Sequence, residues 1–287
     1  IEKSYVYYKI FNIMSKKELS SYESNETYEA ISVELEDKIA TVTLNRPENG
    51  NALNAQMHSE LADFWQGARD DDRVWAVILT GAGDRHFCTG ADMREAASGS
   101  EGRLGQRRIF GLPWQFKFFK PIILALNGLT AGGGLIFMWE SHIVIAAEHV
   151  KFLEPHLSVG QVPASEIYGL ANGGLPWNIG LRMALLGTTG ERVDAERMHQ
   201  LGAISEIVPK DALQARAREI ANNVLQVSPL ATRAFLEGAW NLRENGIGIS
   251  EGSNYGHDLG HALKDTEDYT EGPRSFVEKR KPEWKAK

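Results

Sequence analysis

The sequence predicts an α/β fold of stacked βαβ units with a helical C-terminal part. Three runs, VWAVILT (74–80), PIILALN (121–127) and IVIAA (143–147), are continuously apolar, as suits strands buried on both faces. Loops and helical patterns separate them, and units of that kind join by right-handed crossovers. From about Asp211 onward the pattern is entirely helical.

Each element follows in order. ISVELE (31–36) and IATVTL (39–44) alternate apolar and polar residues around Asp37-Lys38, which predicts a β-hairpin. NRPENGNALN (45–54) is a turn-rich loop with Pro47 and Gly50. Leu53, Met57, Leu61, Phe64, Trp65 and Ala68 recur at helical spacing. GAGDRHFCTGADM (81–93) is expected to be the loop that ends the first buried strand. GLTAGGG (128–134) follows the second strand and leads into an apolar helix, LIFMWE. Three further helices are expected: DALQARAREIANNVLQ, PLATRAFLEGAWNLREN and the segment from about Ser250 to Thr266. The domains expected are a leader at 1–27, a core at 28–210 and a helical oligomerisation region at 211–287. No fixed-period repeat or low-complexity linker is present.

The 287 residues are 43% hydrophobic and 24% charged, enough for a large core. The net charge of −7 argues against nucleic acid or an anionic membrane as the main partner, because both need a basic face. A single cysteine, Cys88, excludes an intrachain disulfide and fits a reducing, cytoplasmic compartment. No apolar run reaches membrane-spanning length, and the start lacks the features of a signal peptide. Met14 precedes the polar SKKELSSYESNE, so residues 1–13 are expected to be an upstream extension and the whole leader to be poorly ordered or peripheral.

Two glycine-rich loops follow buried strands, CTGAD (88–92) and AGGG (131–134), and the second opens a helix. Glycine permits close backbone approach to a ligand, and a helix start offers unpaired N–H groups. Two such groups converging on a carbonyl would make an oxyanion hole. Glycine loops after strands also simply turn the chain, so this pattern alone leaves the function open.

LNRPENGNALN, VILTGAGDRHFCTGADM, KPIILALNGLTAGGG, IVIAAEHVKF, LRMALLGTTGERVDAERMHQLGAISEIVP and EGPRSFVEKRKPEW stand in this order. Together they resemble the crotonase (enoyl-CoA hydratase/isomerase) superfamily, from about residue 28 to the end. The resemblance implies a spiral of ββα turns with a C-terminal helical trimerisation region, and hence a homotrimer or hexamer. It implies an acyl-CoA substrate, coenzyme A entering only as part of that substrate, no permanently bound cofactor and no metal. By motif position the oxyanion N–H groups would be those of Ala91 and Gly133. Gly50, Ala52, Cys88, Gly90, Asp92, Met93, Gly132, Ile136 and Pro155 would line the substrate site. Phe276 and Lys279 would approach the CoA phosphates across a subunit interface.

The chain departs from the hydratase pattern at both catalytic glutamates. Ile136 stands two residues after the triple glycine, and His156 follows Pro155. Water addition needs groups that position water and move its proton. Glu166 lies where relatives of other chemistry use an aspartate, with Ser165 the strict match in one register, and β-diketone hydrolases of the superfamily carry a similar Pro-His. His156 and Glu166 are therefore the candidate acid–base pair. Against this, His156 could be structural and Glu166 could cap the helix that begins there. Glu154 is expected to pair with a surface cation or lie at a subunit contact, and Glu140 and His142 to be solvated ends of the third strand. His86 and Asp92 are expected to serve structure, and Cys88 to be a small buried residue. Phe110, Trp114, Phe116, Phe118 and Phe119 are expected to pack between subunits, or else to line the acyl pocket. The loop ENGNAL lacks the basic residues many relatives carry near the CoA phosphates, whereas EKRKPEWK keeps its basic character. An acyl-CoA enzyme of the hydratase/isomerase type is the leading expectation. A cofactor-free β-diketone hydrolase and a catalytically silent scaffold are the alternatives.

Overall fold

A computed structural model describes residues 28–98, 111–163, 165–190, 192–245 and 249–287. The expected leader and Phe110 lie outside them. Strands β1 (Ile31–Glu36) and β2 (Ile39–Leu44) form the expected hairpin. Its turn residues Asp37 and Lys38 both have positive φ, 49° and 67°, as a two-residue hairpin turn requires. Helix α1 (Ala55–Asp70) follows, capped by the Asn54 side chain, which accepts from the Met57 N–H. It buries Met57, Leu61, Phe64 and Trp65 completely, each worth about 1.5–3 kcal/mol for the transfer from water.

The three apolar runs are β3 (Ala76–Gly81), β5 (Ile122–Leu126) and β7 (Ile143–Ala147), and β3 and β5 are buried at every position. With β10 (Glu206–Val208) they complete a six-stranded sheet of order β1-β2-β3-β5-β7-β10, parallel from β2 onward. The Glu60 carboxylate, buried on α1, accepts the backbone N–H groups of Glu29, Ala30 and Ile31 and so anchors the entry to β1.

A second, four-stranded sheet was not foreseen: β4 (His86–Cys88), β6 (Leu129–Ala131), β8 (Lys151–Leu153) and β9 (Val193–Asp194), in the order β4-β6-β8-β9. The first two are three-residue strands inside segments expected to be loops, too short to show a period of two. Since β4, β6 and β8 run parallel, with Cys88 opposite Thr130 and Ala131 opposite Leu153, the loops leaving their C-terminal ends emerge at one edge.

Short helices α2 (Met93–Ala97), α3 (Ile136–Glu140), α4 (Glu166–Asn172), α5 (Trp177–Leu186) and α6 (Ala195–Gln200) surround that edge and the connections beyond it. Helix α7 (Leu213–Val224) packs on β3, β5 and β7. Helices α8 (Pro229–Asn245) and α9 (Ile249–Ala262) pair with each other, and α10 (Glu267–Glu278), absent from the three expected helices, ends the helical part. Phe116 and Phe118 pack inside the chain, Phe118 edge-on to Trp65 at 5.0 Å, which corrects their expected place between subunits.

Candidate active site

The common edge of β4, β6 and β8 brings together the two glycine loops and the Glu154–His156 segment. Gly90 has φ 89°, and a methyl built on it would stand 3.0 Å from the Gly133 nitrogen and 3.1 Å from the Ala131 carbonyl. Leu53 N–H donates to the Gly90 carbonyl (2.8 Å) and Asp92 N–H to the Leu53 carbonyl (2.9 Å). In a parallel bridge of this kind the intervening Ala91 N–H points to the other side, where the Gly132–Leu135 helical turn begins. Gly133 offers its N–H in the first turn, where no intrahelical acceptor exists. The two N–H groups expected to serve as oxyanion donors thus start from adjacent backbone.

Gly132, with φ 50°, closes the frame on the opposite side: a methyl there would lie 3.3 Å from His156 Cε1 and 3.6 Å from Pro155 Cδ. Pro155 is in the helical region (φ −93°, ψ −6°), so the chain curls at once into a 3-10 turn, His156–Val159. His156 is thereby held between two carboxylates. Its Nδ1 is 2.5 Å from Glu154 Oε1, and its Nε2 is 3.7 Å from Glu166 Oε1. Gly160, at φ 77°, ends the turn and leads the chain through Pro163 back to α4. Glu166 opens that helix, accepting the Ser165 N–H on Oε2 (3.0 Å) while Oε1 faces the imidazole. Helix α4 can sit close to α3 because Gly169 lies under the Trp139 indole, where a methyl would come within 2.2 Å of Nε1.

The electrostatics suit proton transfer. Burial pushes the Glu166 carboxyl above the usual carboxylate range, the His156 charge opposing it only in part. The hydrogen bond to Glu154 raises His156, with burial working against it and the charges of Glu154 and Glu166 adding to it. A raised carboxyl facing a raised imidazole can pass a proton to it or take one from it.

A family model for enoyl-CoA hydratase/isomerase matches residues 34–287. The chain belongs to that family. It is 33% identical over 260 residues to (E)-benzylidenesuccinyl-CoA hydratase of Thauera aromatica, 88% of this chain and 97% of that protein. Carnitinyl-CoA dehydratase of Salmonella arizonae is 34% identical over 253 residues, 86% of this chain and 95% of the relative. A solved enoyl-CoA hydratase/isomerase from Mycobacterium paratuberculosis superposes with a TM-score of 0.81 at 38% identity, covering 91% of this chain and all of the other. The protein is therefore a crotonase-fold enzyme of the acyl-CoA hydratase/isomerase type.

For this family member the structure places the expected residues as follows. Gly50, Gly90, Ala91, Gly132, Gly133, Pro155, His156 and Glu166 form a connected set, Gly50 through its carbonyl, which accepts from Thr89 N–H at 3.2 Å, while Ala52 is buried in the loop beside it, its N–H donating to the Asn49 carbonyl and its own carbonyl accepting from Arg46. Cys88 lies beneath the frame against Gly134, and burial pushes its thiol up to about 12, which leaves it unreactive. Ile136 is buried at the start of α3 and presents an apolar side chain there. Asp92 caps α2 and pairs with Arg46 at 2.8 Å, and Met93 is exposed. Phe276 and Lys279 stand at the exposed end of α10, and among the described residues no hydrogen bond or ion pair links them to the glycine frame.

Two expectations fail. Glu154 is neither on the surface nor paired to a surface cation: it is fully buried and bonded to His156. Glu140 is not a solvated end but is buried, accepting the Trp114 N–H at 3.1 Å, and His142, though part of it is exposed, turns its ring inward, where burial lowers its pKa to about 4. Sequence reasoning also passed over Arg46 and Arg94. Arg94 donates to Asn49 Oδ1 at 3.1 Å, so it brings positive charge to the segment ENGNAL, which carries none. No local signal in the sequence marked Glu154, because residues i and i+2 do not ordinarily face each other.

Glu154, His156 and Glu166 each offer a ligand atom within 4.8 Å of the others, a grouping able to hold a cation. The 2.5 Å contact of Nδ1 with Oε1 instead engages that nitrogen in a hydrogen bond, which favours acid–base work. A cavity of about 580 Å³ lies among Glu267, Glu271, Arg274, Arg280 and Lys285 and shares no residue with this site. Its cations already have carboxylate partners.

Proposed function

We propose that the protein adds water to, or removes it from, an acyl-CoA thioester, with the His156–Glu166 pair replacing the two glutamates of ordinary hydratases. The observation that carries this is the convergence of that pair on the Gly90–Gly133 frame, the ring edge lying against Gly132. In hydration, a water O–H proton passes to the pair as the oxygen bonds to C3. The C2=C3 electrons move into the thioester, and the enolate oxygen takes hydrogen bonds from Ala91 and Gly133 N–H. The pair then returns a proton to C2, so water is added across the double bond. Dehydration is the reverse.

The relatives named above act, by their names, on CoA esters, one as a hydratase and one as a dehydratase. Both support this reading over β-diketone hydrolysis or a silent scaffold. Arg94, with Lys279 from a neighbouring subunit, would meet the CoA phosphates. Assembly as a trimer or hexamer is supported by large apolar side chains left open in the single chain: Phe276 is 84% exposed, Val277 78% and Phe235 71%. The test is turnover on a panel of 2-enoyl-CoA and 3-hydroxyacyl-CoA esters. His156→Ala should lose about 10²- to 10⁴-fold in kcat on the best substrate while calorimetry shows CoA-ester binding retained. Near wild-type turnover in that variant would refute the assignment.

A further inference from the structure

We infer that Glu154 is a positioning residue that fixes the tautomer of His156, so that Nε2 is the nitrogen offered to the reacting atoms. The inference deepens the reading of His156 as acid–base group and rests on it. Glu154 is fully buried, and its Oε1 receives two contacts from one residue, the His156 backbone N–H at 2.9 Å and the ring Nδ1 at 2.5 Å. The backbone group can only donate, so Oε1 accepts there, and as an ionised carboxylate it has no proton to give, which makes Nδ1 the second donor. In the neutral ring the proton is then on Nδ1 and the lone pair on Nε2. That nitrogen faces Glu166 at 3.7 Å, and the adjoining Cε1 edge lies against Gly132.

A purely structural role explains less. An amide at this position would hold the His156 N–H as well without burying a charge, and burying a charge is costly unless it is matched. Glu154 Oε2 is also buried and, among the described residues, finds no hydrogen-bond partner. The cation within reach is the imidazolium that forms when His156 takes a proton. Glu154 thus sets which nitrogen works and stabilises the charge that develops there, as carboxylates behind catalytic or metal-binding imidazoles do.

The experiment joins NMR with kinetics. In the intact wild-type protein, a ¹⁵N-edited histidine spectrum at high pH should show His156 with Nδ1 protonated and Nε2 bare. Glu154→Gln, checked for folding by thermal melting, should lower kcat about 10- to 100-fold with little change in KM. It should also move the histidine limb of the kcat/KM profile to lower pH, a shift that a structural residue would not produce. Glu154→Asp should recover part of the loss. An Nε2-protonated wild-type ring overturns the inference whether or not the variants fold, and so does a Glu154→Gln profile that keeps the wild-type pH limb. If the tautomer is as expected but His156→Ala retains full turnover, positioning stands as geometry and the proposed function fails instead.

Discussion

Two Glu-x-His pairs lie close together in the chain, Glu140-Ser141-His142 and Glu154-Pro155-His156, and they fold to different ends. Both glutamates are buried, and among the described residues each leaves one carboxyl oxygen without a partner. Ser141 is extended (φ −98°, ψ 158°), separating the end of α3 from the start of β7. Glu140 therefore meets the Trp114 N–H, while the His142 ring turns to the Ile122 N–H at 3.0 Å. Pro155 is helical instead and folds carboxylate and imidazole onto each other. The first pair lies at the far end of α3 from the glycine loop that opens it, and the second lies against that loop. Burial perturbs both regions, but only the second sets its perturbed groups against the glycine frame, which separates a candidate site from an isolated buried carboxyl.

The largest expected difference between the regions is in turnover. Glu166→Gln should cost about 10²- to 10⁴-fold in kcat, with CoA-ester affinity little changed. Glu140→Gln, the same substitution in the other region, should stay within about twofold of wild type if it only fills space. Steady-state kinetics on one substrate decides. Comparable losses in both variants would mean that the α3 end belongs to the catalytic machinery.

A somewhat smaller loss should follow from disturbing the donors alone. Gly90→Ala places a methyl 3.0 Å from the Gly133 nitrogen at a φ of 89°, so it should shift one oxyanion donor and lower kcat about 10²- to 10³-fold. The melting temperature should fall with it, and an enolate-mimicking CoA inhibitor should lose more affinity than the substrate. Equal losses for inhibitor and substrate would show that Gly90 serves packing only.

The smallest effect concerns stability and belongs to Glu140. Burial raises its carboxyl from 4.5 to about 8, so between those values the folded chain holds a proton that the unfolded chain has released. Stability must then fall as pH rises through that window. Chemical denaturation at pH 5 and pH 8 should show the decline in wild type, and Glu140→Gln should flatten it by something of order 1–4 kcal/mol. An unchanged slope would place the titration elsewhere.

The sequence by itself determined five of the six strands of the large sheet, because they announce themselves by continuous apolar runs or by alternation, while the three-residue β10 gave no such signal. It also determined the two glycine loops, whose backbone geometry depends on glycine itself. It singled out His156 and Glu166 as a candidate pair, and the fold sets them 3.7 Å apart. The tertiary structure alone decided the rest. Strands β4 and β6 have three residues each and owe their existence to pairing partners distant in sequence. Glu154 and Glu140 look alike in the sequence, as carboxylates two residues before a histidine, and a polar residue near a turn is ordinarily solvated. What separates them is the ψ of one intervening residue, −6° at Pro155 against 158° at Ser141. The surrounding packing sets that angle, and no local propensity encodes it.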